Sequence, residues 1–286
     1  MVMAAPQRPG DPVPRQGPLH WQWHDSGHRS QSWLDLSGGA VPSAGRLDVA
    51  WPERRIDVRH SLDGVADPLL DMLNRWVLPD IARWERQAVP LHGAALELAA
   101  GAVVICGPSG RGKSSLAAAL LARGATLLAD EPTCVVAQPG PLLLPGCSRL
   151  RLVAAAAAQL ADLGLLGRDA PLDWAGKRVI STEPSSATAR PLRALLLLDP
   201  RHSGGPPLRL QVLSPEQALP ALMAERYCRL HHPERRRHDL TQLAALVSEL
   251  PVWRVSLTDD LGQLERVAEE LALQLACLPA TTLPPP

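Results

Sequence analysis

The chain has 286 residues, and its 46% hydrophobic and 20% charged content is that of a soluble globular protein able to bury one large core and a smaller appendage. Its 29 basic and 29 acidic residues balance, which argues against a strongly basic nucleic-acid binder. No run of about 18 uncharged apolar residues occurs, so no membrane span is expected. The start "MVMAAPQRPGDPVPRQGP" lacks the apolar centre of a secretion signal, and a cytoplasmic location is the expectation. The five cysteines are scattered without a C-x-x-C pair, so buried, reduced thiols are expected rather than disulfides or a metal cluster.

Residues 1–18, rich in proline, arginine and glycine, are expected to form a loose arm. Residues 19–88 read as a small β-rich and helical unit. Short alternating stretches such as "RLDVAW" and "RIDVRH" predict strands. Six of the eight tryptophans fall before residue 90, and they are expected to supply this unit's core. "DPLLDMLNRWVLPDIARWER" (67–86) carries apolar residues at helical spacing, with Pro79 expected to break or kink the helix.

A second unit is expected over residues 89–278, followed by a loose tail at 279–286. "AALELAAGAVVIC" predicts two strands joined by a turn at Ala99 to Gly101. "SSLAAALLARG" predicts an amphipathic helix stopping at Gly124, and "ATLLAD" a buried strand. Further strands are predicted at 134–138, 149–153, 193–199 and 208–212. Helices are predicted at 154–163, 214–226, 239–249 and 259–277. This alternation predicts an α/β fold.

Gly107, Pro108, Ser109, Gly110, Arg111, Gly112, Lys113 and Ser114 fit the phosphate-binding pattern G-x-x-x-x-G-K-[ST], with Ser115 next in the helix. The chemistry needs these residue types. Glycines let backbone N–H groups point at a phosphate, and the helix that follows aims its positive end at the same place. The lysine reaches the β- and γ-phosphates as a compact charge, a slot that the broad guanidinium of arginine does not fit. Lys113 is one of two lysines in an arginine-rich chain. Ser114 supplies a hydroxyl for Mg²⁺.

"LLADE" ends in Asp130 and Glu131, one helix, one turn and one strand beyond Lys113. Ligands collect at the carboxyl ends of such strands. One carboxylate can hold Mg²⁺, and the other, or the same one, can accept a proton from an attacking hydroxyl. His92 precedes the first strand of the hairpin, where it is either a packing residue or a member of the site. Lys177, in "AGKRVIS", is either a second phosphate-neutralising group or an exposed loop lysine. "LSGGA" at Leu36 resembles the signature of ABC-type ATPases but precedes the glycine loop, whereas that signature follows it. "HHPERRRH" (His231 to His238) reads as a solvated basic face or loop.

The stretch "LHGAALELAAGAVVICGPSGRGKSSLAAALLARGATLLADE" resembles the catalytic core of the HPr kinase/phosphorylase family, in particular its shorter members from bacterial gene clusters. Some of those phosphorylate a serine of a lasso-peptide precursor. The resemblance covers about 45 residues well. It implies a mixed sheet with flanking helices and a kinase that uses ATP and Mg²⁺ to phosphorylate a serine hydroxyl of a protein or peptide. It also implies that Lys113 binds phosphate, Ser114 binds Mg²⁺, Asp130 is the general base and His92 lies near the γ-phosphate. The second acid is Glu131 where the family has aspartate, and "LLPGCSRLRL" stands without an acid where the family carries a glycine-rich signature with a metal-binding glutamate. A P-loop ATPase, a nucleotide-sensing module and a small-molecule kinase remain alternatives, and homo-oligomerisation is left open.

Overall fold

The computed structural model describes residues 19–24, 29–35, 44–50, 55–60, 71, 73–167, 170–173, 176–182, 188–227 and 233–278. The arm, the tail, "LSGGA" and the histidines at 231 and 232 lie outside the described residues, as do the side chains on which the expected tryptophan core depends. The chain divides into two compact units, Met1–Ile81 and Ala82–Pro286.

The first unit holds a four-stranded antiparallel meander of β1 (Leu19–His24), β2 (Arg29–Asp35), β3 (Ala44–Ala50) and β4 (Arg55–His60). "RLDVA" and "RIDVRH" are neighbours in it, in a register that sets Leu47 opposite Val58 and Val49 opposite Ile56. Leu73–Val77 makes a single π-helical turn, and helix α1 runs Leu78–Arg86. Pro79 is the second residue of α1, directly after the π-helical turn, so the proline expected to break or kink the helix sits where the helical winding changes.

The second unit is built on one mixed sheet. Its strands are β5 (Val89–Leu91), β6 (Gly93–Leu98), β7 (Gly101–Cys106), β8 (Thr126–Asp130), β9 (Thr133–Val136), β10 (Leu142–Leu143), β13 (Arg190–Leu198), β14 (Leu208–Leu213) and β15 (Val252–Leu257). The order is β5-β9-β10-β13-β7-β6-β8, with β15 also on β13 and β14 on β15. A separate hairpin pairs β11 (Arg149–Leu152) with β12 (Arg178–Ser181). The helices are α2 (Lys113–Ala122), α3 (Ala154–Asp162), α4 (Pro215–Ala224), α5 (Pro233–Glu249) and α6 (Leu264–Ala276).

Successive strand side chains point to opposite faces, so β7 feeds two cores. Val103 and Ile105 pack with α2, α3 and α6, while Ala102, Val104 and Cys106 pack with α4 and α5. A strand buried on both faces needs an unbroken apolar run, which "GAVVIC" and "RALLLL" supply. Each fully buried leucine, such as Leu96, Leu116 or Leu196, contributes about 1.5–3 kcal/mol.

Several predicted elements are corrected by the structure. Helix α2 is not amphipathic, because Leu116, Ala117, Ala118, Ala119 and Leu120 are all buried and alanine lets the helix sit close on the sheet. Helix α5 starts at Pro233 instead of 239, so of the expected solvated basic face or loop Arg236 and Arg237 lie exposed on a helix. The helix expected at 259–277 divides into a 3-10 turn, Leu261–Gln263, and α6. Of the four cysteines described, Cys106 is buried, Cys134 and Cys147 are half-buried and Cys277 is exposed. No helix among the described residues is long and apolar enough to cross a membrane.

One buried charge cluster secures this unit. The Asp239 carboxylate, fully buried, accepts from Arg83 Nε and Nη2 at 3.3 Å each and from Arg226 Nη1 at 3.0 Å. A lone buried charge would be very costly, whereas the forked guanidinium satisfies it.

Candidate active site

Sheet direction brings the site together. Strands β13 and β15 run parallel to β7, while β6 is antiparallel to both β7 and β8. The carboxyl ends of β7, β8, β13 and β15 therefore share one edge with the start of β6. The register is specific: Gly93 faces Cys106, and Ala94 lies between Ile105 and Asp130. His92, the glycine loop and the acids after β8 are consequently gathered within a few strand spacings of about 4.8 Å.

The loop 107–112 joins β7 to α2. Gly107 (φ 148) lies against the end of β13, and a Cβ there would come within 3.1 Å of Leu198 Cβ and Leu198 O. Gly112 (φ 97) precedes the helix in the left-handed region that side chains disfavour. Pro108, Ser109 and Gly110 are exposed, while Arg111, Ser114 and Ser115 are half-buried. The Lys113 side chain is buried, and its Nζ donates to Gly107 O at 2.8 Å and Pro108 O at 3.4 Å, curling back over the loop.

The expected site residues divide into two groups. Lys113, His92 and Glu131 form one charged row. Lys113 Nζ stands 3.8 Å from Glu131 Oε1, which also meets His92 Nε2 at 2.8 Å. On the other side of the ring, His92 Nδ1 lies 3.8 Å from Glu225 Oε2, and the His92 N–H donates to Glu225 O at 2.7 Å. The hydrogen bonds to Glu131 and Glu225 raise the His92 pKa to about 9, against burial and the Lys113 charge. The imidazole is therefore an imidazolium at neutral pH. Beneath it, burial pushes the Cys106 thiol well above its usual range, so it is a packing group and not a nucleophile.

Asp130 is the buried last residue of β8, and its Oδ2 accepts from the Arg151 N–H at 3.1 Å. Arg151 Nε in turn donates to Asp173 Oδ2 at 2.6 Å, and Asp173 Oδ1 accepts the Lys177 N–H at 2.8 Å. Lys177 is thus joined to the site through its backbone. Among the described residues its ammonium makes no hydrogen bond or ion pair with the glycine loop. At Glu131 the backbone turns to φ 26, and the Glu131 N–H donates to Gly93 O at 3.0 Å. This turn is what sends the glutamate towards Lys113 when its neighbour Asp130 faces Arg151.

Sequence reasoning missed Glu225 and Arg201. Glu225 caps the carboxyl end of α4, just after Ala224, and nothing nearby in the chain marks it. Arg201 is one arginine among many, following β13 in "LLLLDPR".

The donor set suits Mg²⁺. The Ser114 hydroxyl and the Asp130 and Glu131 carboxylates offer only hard oxygen atoms, and Mg²⁺ is commonly held by one or two carboxylates together with substrate phosphate. Among the described residues no group of three or more His, Cys, Asp or Glu could by itself hold a metal ion, so a cation here would need the substrate's oxygens.

No known family matches the chain, and no curated protein is similar to it. Among solved structures it is similar to the HPr(Ser) kinase/phosphatase from Coxiella burnetii, with 12% identity, 65% of this chain and 92% of that chain covered, and a TM-score of 0.33. A likeness of that size carries no argument about function.

Proposed function

We propose that the protein is a kinase that transfers the γ-phosphoryl group of ATP to a serine hydroxyl of a protein or peptide. The observation that carries this reading is the shared sheet edge, where a glycine loop ending in a buried lysine stands beside two strand-terminal acids and a positively charged histidine. The backbone N–H groups of residues 107–114 and the Lys113 ammonium bind and orient the triphosphate. Asp130 takes the proton of the attacking hydroxyl as its oxygen bonds to the γ-phosphorus. The bond from that phosphorus to the β,γ-bridging oxygen breaks, and ADP leaves. His92, held between Glu131 and Glu225, keeps a positive charge at the same edge. Mg²⁺, held by Ser114 and the Asp130 and Glu131 carboxylates, would neutralise phosphate charge when bound.

The acid placed beyond the lysine, the histidine before the hairpin and the resemblance of residues 91–131 to HPr kinases support a polypeptide serine as acceptor, a lasso-peptide precursor being one of that class. The test is incubation of the protein with γ-labelled ATP, Mg²⁺ and a panel of serine-bearing peptides and cell lysate. Label is expected in a polypeptide serine. Asp130→Asn should remove transfer by about a hundredfold or more while ATP affinity stays within a few-fold. Rapid phosphate release without any labelled acceptor would replace this reading with an ATPase. Normal transfer by Asp130→Asn would remove Asp130 from the role of base.

A further inference from the structure

Arg201 lies three residues beyond β13, at the same edge as the glycine loop but on the side away from Asp130 and Glu131. Its guanidinium packs directly on the loop's last glycine: a Cβ added to Gly112 would stand 2.5 Å from Arg201 Nη2 and 3.3 Å from its Cζ. Its Nη1 donates to Thr258 O at 3.0 Å, so the carboxyl end of β15 fixes the fork in place. Gly112 is therefore constrained twice, by its φ of 97° and by a cation occupying the space a side chain would need.

Burial lowers the Arg201 pKa, and the charge of the Asp259 carboxylate opposes that shift. Among the described residues no carboxylate lies within ion-pairing reach of Arg201. Arg83 and Arg226 of this unit pair with Asp239, and Arg151 with Asp173, whereas half-buried Arg178, like Arg201, meets a carbonyl oxygen, that of Ala170. A half-buried guanidinium held against an anion-binding loop, with neutral carbonyl oxygen as its fixed partner, leaves N–H donors and a full charge for an incoming anion.

We infer that Arg201 is a phosphate-binding residue of the nucleotide site, its guanidinium taking oxygens of the ATP phosphate chain from the β13 side of the loop while Lys113 takes them from the β8 side. This deepens the kinase reading and rests on it. The phosphates would be gripped between two cations of different kinds. The ammonium is a mobile point charge, now curled onto Gly107 O; the guanidinium is a planar fork already set by Thr258.

Isothermal titration of the full chain with ATP, ADP and adenosine tests this, comparing wild type with Arg201→Gln and Arg201→Lys, with thermal melts recorded for each. Arg201→Gln is expected to weaken ATP and ADP by about 10- to 100-fold, the range for losing a charged hydrogen bond, with adenosine uptake unchanged. Arg201→Lys should recover part of that loss, because charge returns without the fork, and it carries the test if Arg201→Gln melts early. Equal ATP affinity in wild type and both variants would overturn this inference alone. Loss of adenosine and ATP affinity by the same factor would also overturn it, by showing a nucleoside contact. Wild-type protein that takes up neither ATP nor ADP would overturn the kinase reading itself, and this inference with it.

Discussion

On the β6/β8 side of the glycine loop, charges are answered by other protein groups: Lys113 by Glu131, and His92 by Glu131 and Glu225. On the β13/β15 side, Arg201 meets a carbonyl oxygen and no carboxylate within reach among the described residues. The first flank is a balanced row that a triphosphate must partly dismantle. The second is preset for an anion. The contrast assigns them different work: the balanced flank exchanges partners during the reaction, and the unbalanced one holds the nucleotide still.

The most severe way to break the contrast is Lys113→Ala, which removes the group that links the balanced flank to the phosphates. Phosphoryl transfer is expected to fall by about a thousandfold in a label-transfer assay, a loss typical of removing a preorganised charge from a transition state. Glu131→Gln should act in the opposite sense on binding. It releases Lys113 from a competing carboxylate and removes a negative charge from the phosphate path. ATP affinity measured in chelator is expected to rise roughly three- to tenfold, with fluorescence titration as the readout. Unchanged affinity would mean that the Lys113–Glu131 pair is already broken in solution.

The smallest expected effect is on pH dependence. The folded His92 pKa of about 9 exceeds the ordinary value of 6.5, so its pairing with Glu131 and Glu225, opposed by Lys113, stabilises the fold below about pH 6.5. That contribution is lost as pH rises from there through about 9. In nucleotide-free protein with chelator, the melting temperature of wild type should therefore fall more steeply between pH 7 and 10 than that of His92→Gln. Parallel curves would show that the carboxylates do not hold the imidazolium in solution.

What was legible in the sequence is what depends on neighbours along the chain. The glycine loop, α2 and the acids closing β8 are specified within a span of about 25 residues, where spacing alone fixes one strand, one helix and one strand. The same locality made the β6–β7 hairpin readable. Strand β15, "VWRVSL", was missed because its buried and part-buried positions do not alternate cleanly. Strands β5, β10 and β12 are too short to show a period. Arg201 and Glu225 were invisible for the same physical reason. Their places are set by pairing between distant segments: β13 on β7 for one, and the segment around Arg226 bridging Leu91 for the other. Local pattern separated neither from the many other arginines and glutamates.

The cluster at Asp239 bears on where the second unit can be cut free. Its bidentate partner comes from position 83, on the last turns of α1, and lies 156 residues away in the chain. A fragment starting at the first sheet strand, Val89, would leave a wholly enclosed carboxylate with a single arginine, a deficit of the kind that costs several kcal/mol. Material meant for crystals or assays of this half alone should keep the whole of α1, since a shorter piece can lose its fold for want of one side chain that has no part in the chemistry.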